Sequence, residues 1–307
     1  MHTSGRTLAT FTSPSALVWA ARASWVLLAV AGGGAFGDAL APHSRPVQIV
    51  GTVCLWVGWA AVTTAMVIPS VVSLTVVRSI VPGAVVLGVA AAVQASSTMA
   101  GSSVCVALAM TSLALVTSGE LGRYFVQASA YGDEQRFPLR PPLSFLIPTV
   151  VSWCVLCTSA AVGPLALAAG GWWVGVPLTA ASPVMGWFLG RRFHRLSRRW
   201  LVLVPAGVVV HDQLVLAETA MFPAATVAGI GLALADTEAA DLTGPAPGNA
   251  IEITVRDMGT AVLAPTRDKP GGTALHVGAV LVAPTRPGAV LRAAAARALP
   301  IGPMPVR

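Results

Sequence analysis

The sequence predicts an α-helical membrane bundle of about six transmembrane helices, followed by a small β-rich domain that ends in a helix. Three observations predict it. Only 10% of the 307 residues are charged, where a soluble domain carries roughly 25%. The apolar residues gather into runs close to the roughly 20 residues that a helix needs to cross a bilayer. Beyond residue 200 the runs shorten, alternate at period two and are split by Gly and Pro turns.

The six apolar segments cover residues 19–40, 47–68, 73–93, 99–117, 143–162 and 172–190. Helices are expected in them because a backbone in hydrocarbon must pair its own N–H and C=O groups. Arg22 and Arg78 lie near the starts of the first and third segments, where long side chains snorkel to the headgroups. Small residues at four-residue spacing (Ala84, Gly88, Ala92) allow close helix approach. Hydroxyls at Ser96, Ser97 and Thr98 are expected to bond their own helix.

Charge sets the orientation. With both termini inside, the inner segments hold Arg6, Arg22, Arg78, Arg123, Arg136, Arg140 and the group Arg191, Arg192, Arg195, Arg198 and Arg199. The outer loops hold Arg45 alone. That bias matches the positive-inside rule and predicts a multi-pass protein of the cell membrane with cytoplasmic termini. Trp19, Trp172, Trp173, Trp187 and Trp200 fall near segment ends and suit interfacial belts.

The expected organisation is a transmembrane domain over 1–190, a basic juxtamembrane segment over 191–200, a cytoplasmic β-rich domain over 201–300 and a tail over 301–307. The inner loop at 118–142 concentrates polarity in YGDEQRFPLRPP. Pro138, Pro141 and Pro142 bar a helix there and favour extended backbone. Tyr131, Asp133, Glu134, Arg136 and Arg140 make this a candidate docking loop for the β-rich domain. In RRFHRLSRRW, a helix would place Arg191, Arg195 and Arg198 on one face with Arg192 and Arg199 beside it. Each basic residue near an anionic leaflet contributes about 1 kcal/mol of attraction, so these five are candidate contacts for anionic phospholipid headgroups.

Strands are expected at 201–205 and 208–212 around an Ala206-Gly207 turn, then at 214–222, 226–234, 251–256, 261–265 and 275–284. A closing helix is expected at 287–299, with Thr285 as N-cap and Pro287 in its first turn. That order resembles the pleckstrin-homology-like domains of bacterial membrane proteins, and the resemblance implies a small roll or barrel. The phrases SLTVVRSIVPGA, YGDEQRFPLRPP and RRFHRLSRRWLVLVPAGVVVHDQLVLAETAMF resemble conserved integral membrane proteins of actinobacteria. This second resemblance implies a membrane location and a lineage, and it supplies no catalytic residues.

The sequence offers little for catalysis. Cys154 and Cys157 form a C-x-x-C inside an apolar segment, where packing is the simpler role. His211 and Asp212 are adjacent in a strand, so their side chains point to opposite faces. No acid lies in the middle of a segment, and Asp38 is near the end of the first. Catalytic residues, cofactors and metal ligands are therefore not expected, and nucleic acid is not an expected partner. The leading expectation is a non-enzymatic scaffold whose β-rich domain contacts a protein partner or the inner leaflet. The alternatives are a small-molecule or lipid transporter and, behind it, a membrane-associated enzyme.

Overall fold

A computed structural model describes residues 15–94, 99–265 and 269–302. His2 and Arg6, the hydroxyls at 96–98 and tail residues 303–307 lie outside the described residues. The chain divides into two compact units. One comprises helices from residues 13–125 and 148–194; the other joins 126–147 to 195–307.

The helical unit begins with α1 (Ala16–Leu40), α2 (Arg45–Val67), α3 (Val71–Gln94) and α4 (Met99–Thr117). α1 buries Val18, Ala21, Trp25, Leu28, Gly32 and Ala35, a three-and-four spacing that puts one stripe inward. α4 answers with buried Ser102, Cys105, Ala109, Ser112 and Val116. These are mostly small side chains, so the two backbones approach closely. A Cβ on Gly32 would sit 3.1 Å from the Cys105 Sγ, and Ser24 shares a 3.0 Å hydroxyl bond with Ser112 in the same seam. α1 and α2 are joined by a reciprocal pair. Trp25 Nε1 donates to the Trp59 carbonyl and Trp59 Nε1 to the Trp25 carbonyl, each at 3.2 Å. Indole donors are thereby satisfied without water.

Arg22 and Arg78 do not spend their side chains on headgroups. Arg22 Nε and Nη2 donate to the Met66 carbonyl in the last turn of α2, at 3.2 and 2.8 Å. Arg78 Nε donates to the Val116 carbonyl near the end of α4, at 3.3 Å. Both cap helix C-termini, where carbonyls lack intrahelical partners and the dipole favours a cation.

α5 (Gly119–Gln127) is a short helix in what the sequence reads as loop, bent 58° from α4. α6 (Leu143–Ala168) and α7 (Trp172–Ser197) complete the helices. Among the described residues, four helices, α1, α2, α3 and α6, are long and apolar enough to cross a membrane, and a fifth crossing is available if α4 and α5 form one bent span. That is fewer than the six expected. α7 forms over the predicted segment, but its three tryptophans, two prolines and several small residues dilute its apolarity. α6 and α7 meet through glycines. A Cβ on Gly163 would lie 2.7 Å from the Thr179 nitrogen, and one on Gly175 would lie 2.6 Å from the Leu167 nitrogen.

The described residues of the β-rich unit form two four-stranded sheets. The first has the order β1 (Gln135–Pro138), β2 (Arg199–Val204), β3 (Gly207–Asp212), β4 (Ala220–Pro223), all antiparallel. The second has the order β5 (Val227–Leu232), β7 (Ile251–Leu263), β8 (Thr273–Val282), β6 (Ala240–Asp241). One core takes inward side chains from both sheets, among them Phe137, Leu201, Val210, Phe222, Ile253 and Val280. α8 (Pro287–Ala296) adds Val290 and Ala294 to it.

Three strand expectations change. The hairpin loop is Pro205-Ala206, with Val204 opposite Gly207. Gly207 is required at that corner: its φ is +152°, and a Cβ there would collide with the Phe222 carbonyl oxygen. Residues 214–219 are a turn and an isolated bridge rather than strand, because Asp212 accepts from the Leu214 N–H and ends the ladder. The runs at 251–256 and 261–265 are one strand, β7, and a bulge between Thr254 and Gly259 absorbs the polar interruption. α8 also stops at Ala296, short of Leu299, and its N-cap is Arg286 rather than Thr285.

Candidate functional site

The polar connector at 127–142 is built into the β-rich unit. Gln135–Pro138 pairs with β2 from Leu203 back to Trp200. Pro138 ends this edge strand, where its missing N–H takes no bond from the ladder with β2. Gln127 at the end of α5 clamps the entry. Its Nε2 donates to the Glu134 carbonyl at 2.8 Å, and its Oε1 accepts from the Arg136 N–H at 2.9 Å. Glu134 Oε1 accepts from the Tyr131 N–H and from Arg136 Nη2, both at 2.6 Å. Tyr131 itself is exposed. Asp133 pairs with Arg297 just past α8, at 2.9 Å. Arg140 Nη1 reaches the carbonyls of Pro247 and Asn249 at 2.9 and 3.1 Å. All five candidate docking-loop residues thus lie on one segment, and four of them, all but Tyr131, make polar contacts through their side chains within this unit.

On the outer face of the first sheet, Arg136, Trp200 and His211 form a layer. The Arg136 guanidinium lies 5.2 Å from the Trp200 ring centre, and the His211 ring stacks on Trp200 at 5.0 Å. Trp200 is therefore buried in a sheet rather than placed in an interfacial belt. His211 Nδ1 is 3.0 Å from Thr219 Oγ1. Burial holds the His211 imidazole below the usual histidine range. The Arg198 and Arg136 charges push the same way, and the Asp212 carboxylate opposes them.

The five candidate headgroup contacts separate. α7 runs to Ser197, so Arg191, Arg192 and Arg195 lie on a helix while Arg198 and Arg199 lie beyond it. Arg191, Arg192 and Arg195 are exposed and Arg198 is half-buried. Arg191 stacks on Trp187 at 4.1 Å. Arg199 is 1% exposed, which takes it away from any headgroup. Its Nε and Nη2 donate to the two carboxylate oxygens of Asp212 at 2.8 and 2.6 Å. Its Nη1 donates to the Arg140 carbonyl, and Nη2 also reaches the Thr243 carbonyl at 3.4 Å. A desolvated, bidentate pair of this kind needs nearly every donor and acceptor satisfied, and this one ties the connector, β2, β3 and the 241–244 turn together.

That pair was hidden from sequence reasoning by the hairpin register. A turn at Ala206-Gly207 would set Pro205 against Val208 and leave Arg199 beyond the end of β3. The observed turn sets Arg199 against Asp212 and Trp200 against His211. The usable signal was alternation. Arg199 lies two residues before inward Leu201, and Asp212 two residues after inward Val210, so opposite charges end the inward faces of both strands.

Between α6 and α7 lies an open groove of about 420 Å³, lined by Ser152, Val155, Val184, Met185, Phe188, Leu189 and Arg192. A second, of about 500 Å³, runs along the α1–α2 turn with Arg45 at its rim. Cys105 is buried, and Cys54, Cys154 and Cys157 are exposed or half-buried free thiols. Among the described residues no group of three or more His, Cys, Asp or Glu side chains converges on a possible metal position.

Comparison with protein-family models, curated proteins and solved structures found no match to this chain.

Proposed function

We propose that this is a multi-pass scaffold of the cell membrane that acts by binding, with its β-rich unit in the cytoplasm contacting a protein partner or the inner leaflet. One observation carries the proposal: the strand before α6 and the strand after α7 pair in one sheet. A helix pair that departs from a sheet and returns to it crosses a bilayer an even number of times. If α6 crosses, α7 crosses back, despite its diluted composition. The exposed Trp173, Val176, Val184, Trp187 and Phe188 on α7 are consistent with a lipid-facing helix. With α1 to α3 and the bent α4–α5 span, this makes six crossings and cytoplasmic termini, as the arginine distribution requires. Spans without mid-depth acids favour binding over proton-coupled transport.

Two measurements test it. On a background lacking Cys54, Cys105, Cys154 and Cys157, single cysteines at Ser44 and Ala169 should label from outside intact cells. Cysteines at Tyr131 and Gln213 should label only after permeabilisation; labelling of either from outside overturns the orientation. A photocrosslinker at the exposed Leu234 or Met258, in native membranes, should yield a discrete protein or lipid adduct. Adducts with water alone at both sites would remove the binding role.

A further inference from the structure

The α6–α7 groove has a polarity gradient along its length. Arg192 is at one end and Val184 at the other, and Ser152 spends its hydroxyl on the Pro148 carbonyl of its own helix. Val184 and Arg192 are eight residues apart on one helix, about 12 Å along its axis. Arg192 is exposed and has no ion-pair or hydrogen-bond partner among the described residues. Its neighbour Arg191 is stacked on Trp187. An apolar trough of ligand-sized volume that ends in one uncommitted guanidinium has the chemistry of an amphiphile with an anionic head.

We infer that this groove seats a single anionic phospholipid of the bilayer, its phosphate on Arg192 and an acyl chain along Val184, Met185, Phe188 and Val155. The inference rests on the membrane reading proposed above and deepens it by naming a lipid and a place. It differs from diffuse attraction to the leaflet, in which Arg191, Arg192 and Arg195 act alike and the shape of the helix pair is irrelevant.

The full-length protein, reconstituted in vesicles of equal parts phosphatidylcholine and phosphatidylglycerol and re-extracted in mild detergent, can be weighed with its retained lipid by native mass spectrometry. The wild type should keep one phosphatidylglycerol. Arg192→Gln should lower that occupancy about fivefold, the effect of one well-placed cation. Val184→Trp, at an exposed position where folding is not at stake, should fill the trough and displace the lipid without altering charge. Arg191→Gln should leave retention unchanged. Equal losses for Arg191→Gln and Arg192→Gln, with none for Val184→Trp, would overturn the seat and leave leaflet attraction standing. Equal retention of phosphatidylcholine would overturn the role given to Arg192. Labelling of Tyr131 from outside would instead remove the membrane orientation on which the seat depends.

Discussion

The two units treat the same residue types in opposite ways. In the helical unit large apolar side chains point outward: Val30, Trp56, Val72, Val150, Val151 and Trp187 are all exposed. Its closest helix approaches use small residues, with serine, alanine and cysteine on the α4 side of the α1–α4 seam and glycine between α6 and α7. In the β-rich unit the large apolar side chains fill one core, and the charged groups that enter it do so as a matched pair. The contrast shows that composition alone does not determine burial. On the membrane reading proposed above, the helical unit gains nothing from hiding leucine, so close backbone approach and hydrogen bonds decide its packing. In water, burial of apolar area dominates and each buried charge must be answered.

The sharpest way to break this contrast is to leave a charge unanswered. Asp212→Asn leaves the Arg199 guanidinium buried without its carboxylate and should cost about 3–5 kcal/mol. The β-rich unit should become protease-sensitive in detergent while helical circular dichroism stays near the wild-type value. The helical unit should be broken by volume rather than charge. Gly163→Ala would press a methyl group against the Thr179 backbone, and such overpacking costs about 1–3 kcal/mol. Here the loss should appear as separation of cysteine pairs engineered across α6 and α7, with the β-rich unit still protease-resistant.

Smaller effects test the connector. Arg140→Ala removes the bonds to Pro247 and Asn249 and should cost about 1 kcal/mol. Hydrogen exchange should speed up in residues 244–249, and β1 should stay protected. The weakest effect is titration. His211 has a lowered folded-state pKa, so the unfolded chain takes up its proton first as pH falls. The stability it contributes is complete above about pH 6.5 and is lost as pH falls below that. The melting temperature of the β-rich unit should therefore drop modestly on acidification, and His211→Gln should flatten that part of the curve. A profile unchanged by the substitution would assign the acid sensitivity to other groups.

Much of the helical unit is legible in the sequence because length and apolarity are local properties. The four long apolar helices, the Pro-rich extended segment before α6 and the closing helix all follow from short windows. What escaped depends on partners distant in sequence. Gln127 becomes a clamp only when the 134–136 backbone folds back on it. Arg199 reads as one of five surface cations until the hairpin register sets it against Asp212. The long β7 is divided by Arg256–Met258 in sequence, and only the continuous β8 beside it holds the two halves in line. α7 falls short on apolarity because tryptophan, proline and small residues take places that leucine or valine would fill.

The strand contributed by the connector also has a consequence for biogenesis. Gln135–Pro138 leaves the ribosome about sixty residues before its partner Arg199–Val204, with the whole of α6 and α7 in between. Until both helices and β2 have been synthesised, this edge has nothing to pair with, which leaves it open to wrong partners for that interval. A polypeptide starting at residue 201 would lack both this strand and the arginine that anchors it, so efforts to express the C-terminal portion by itself should give an incomplete sheet.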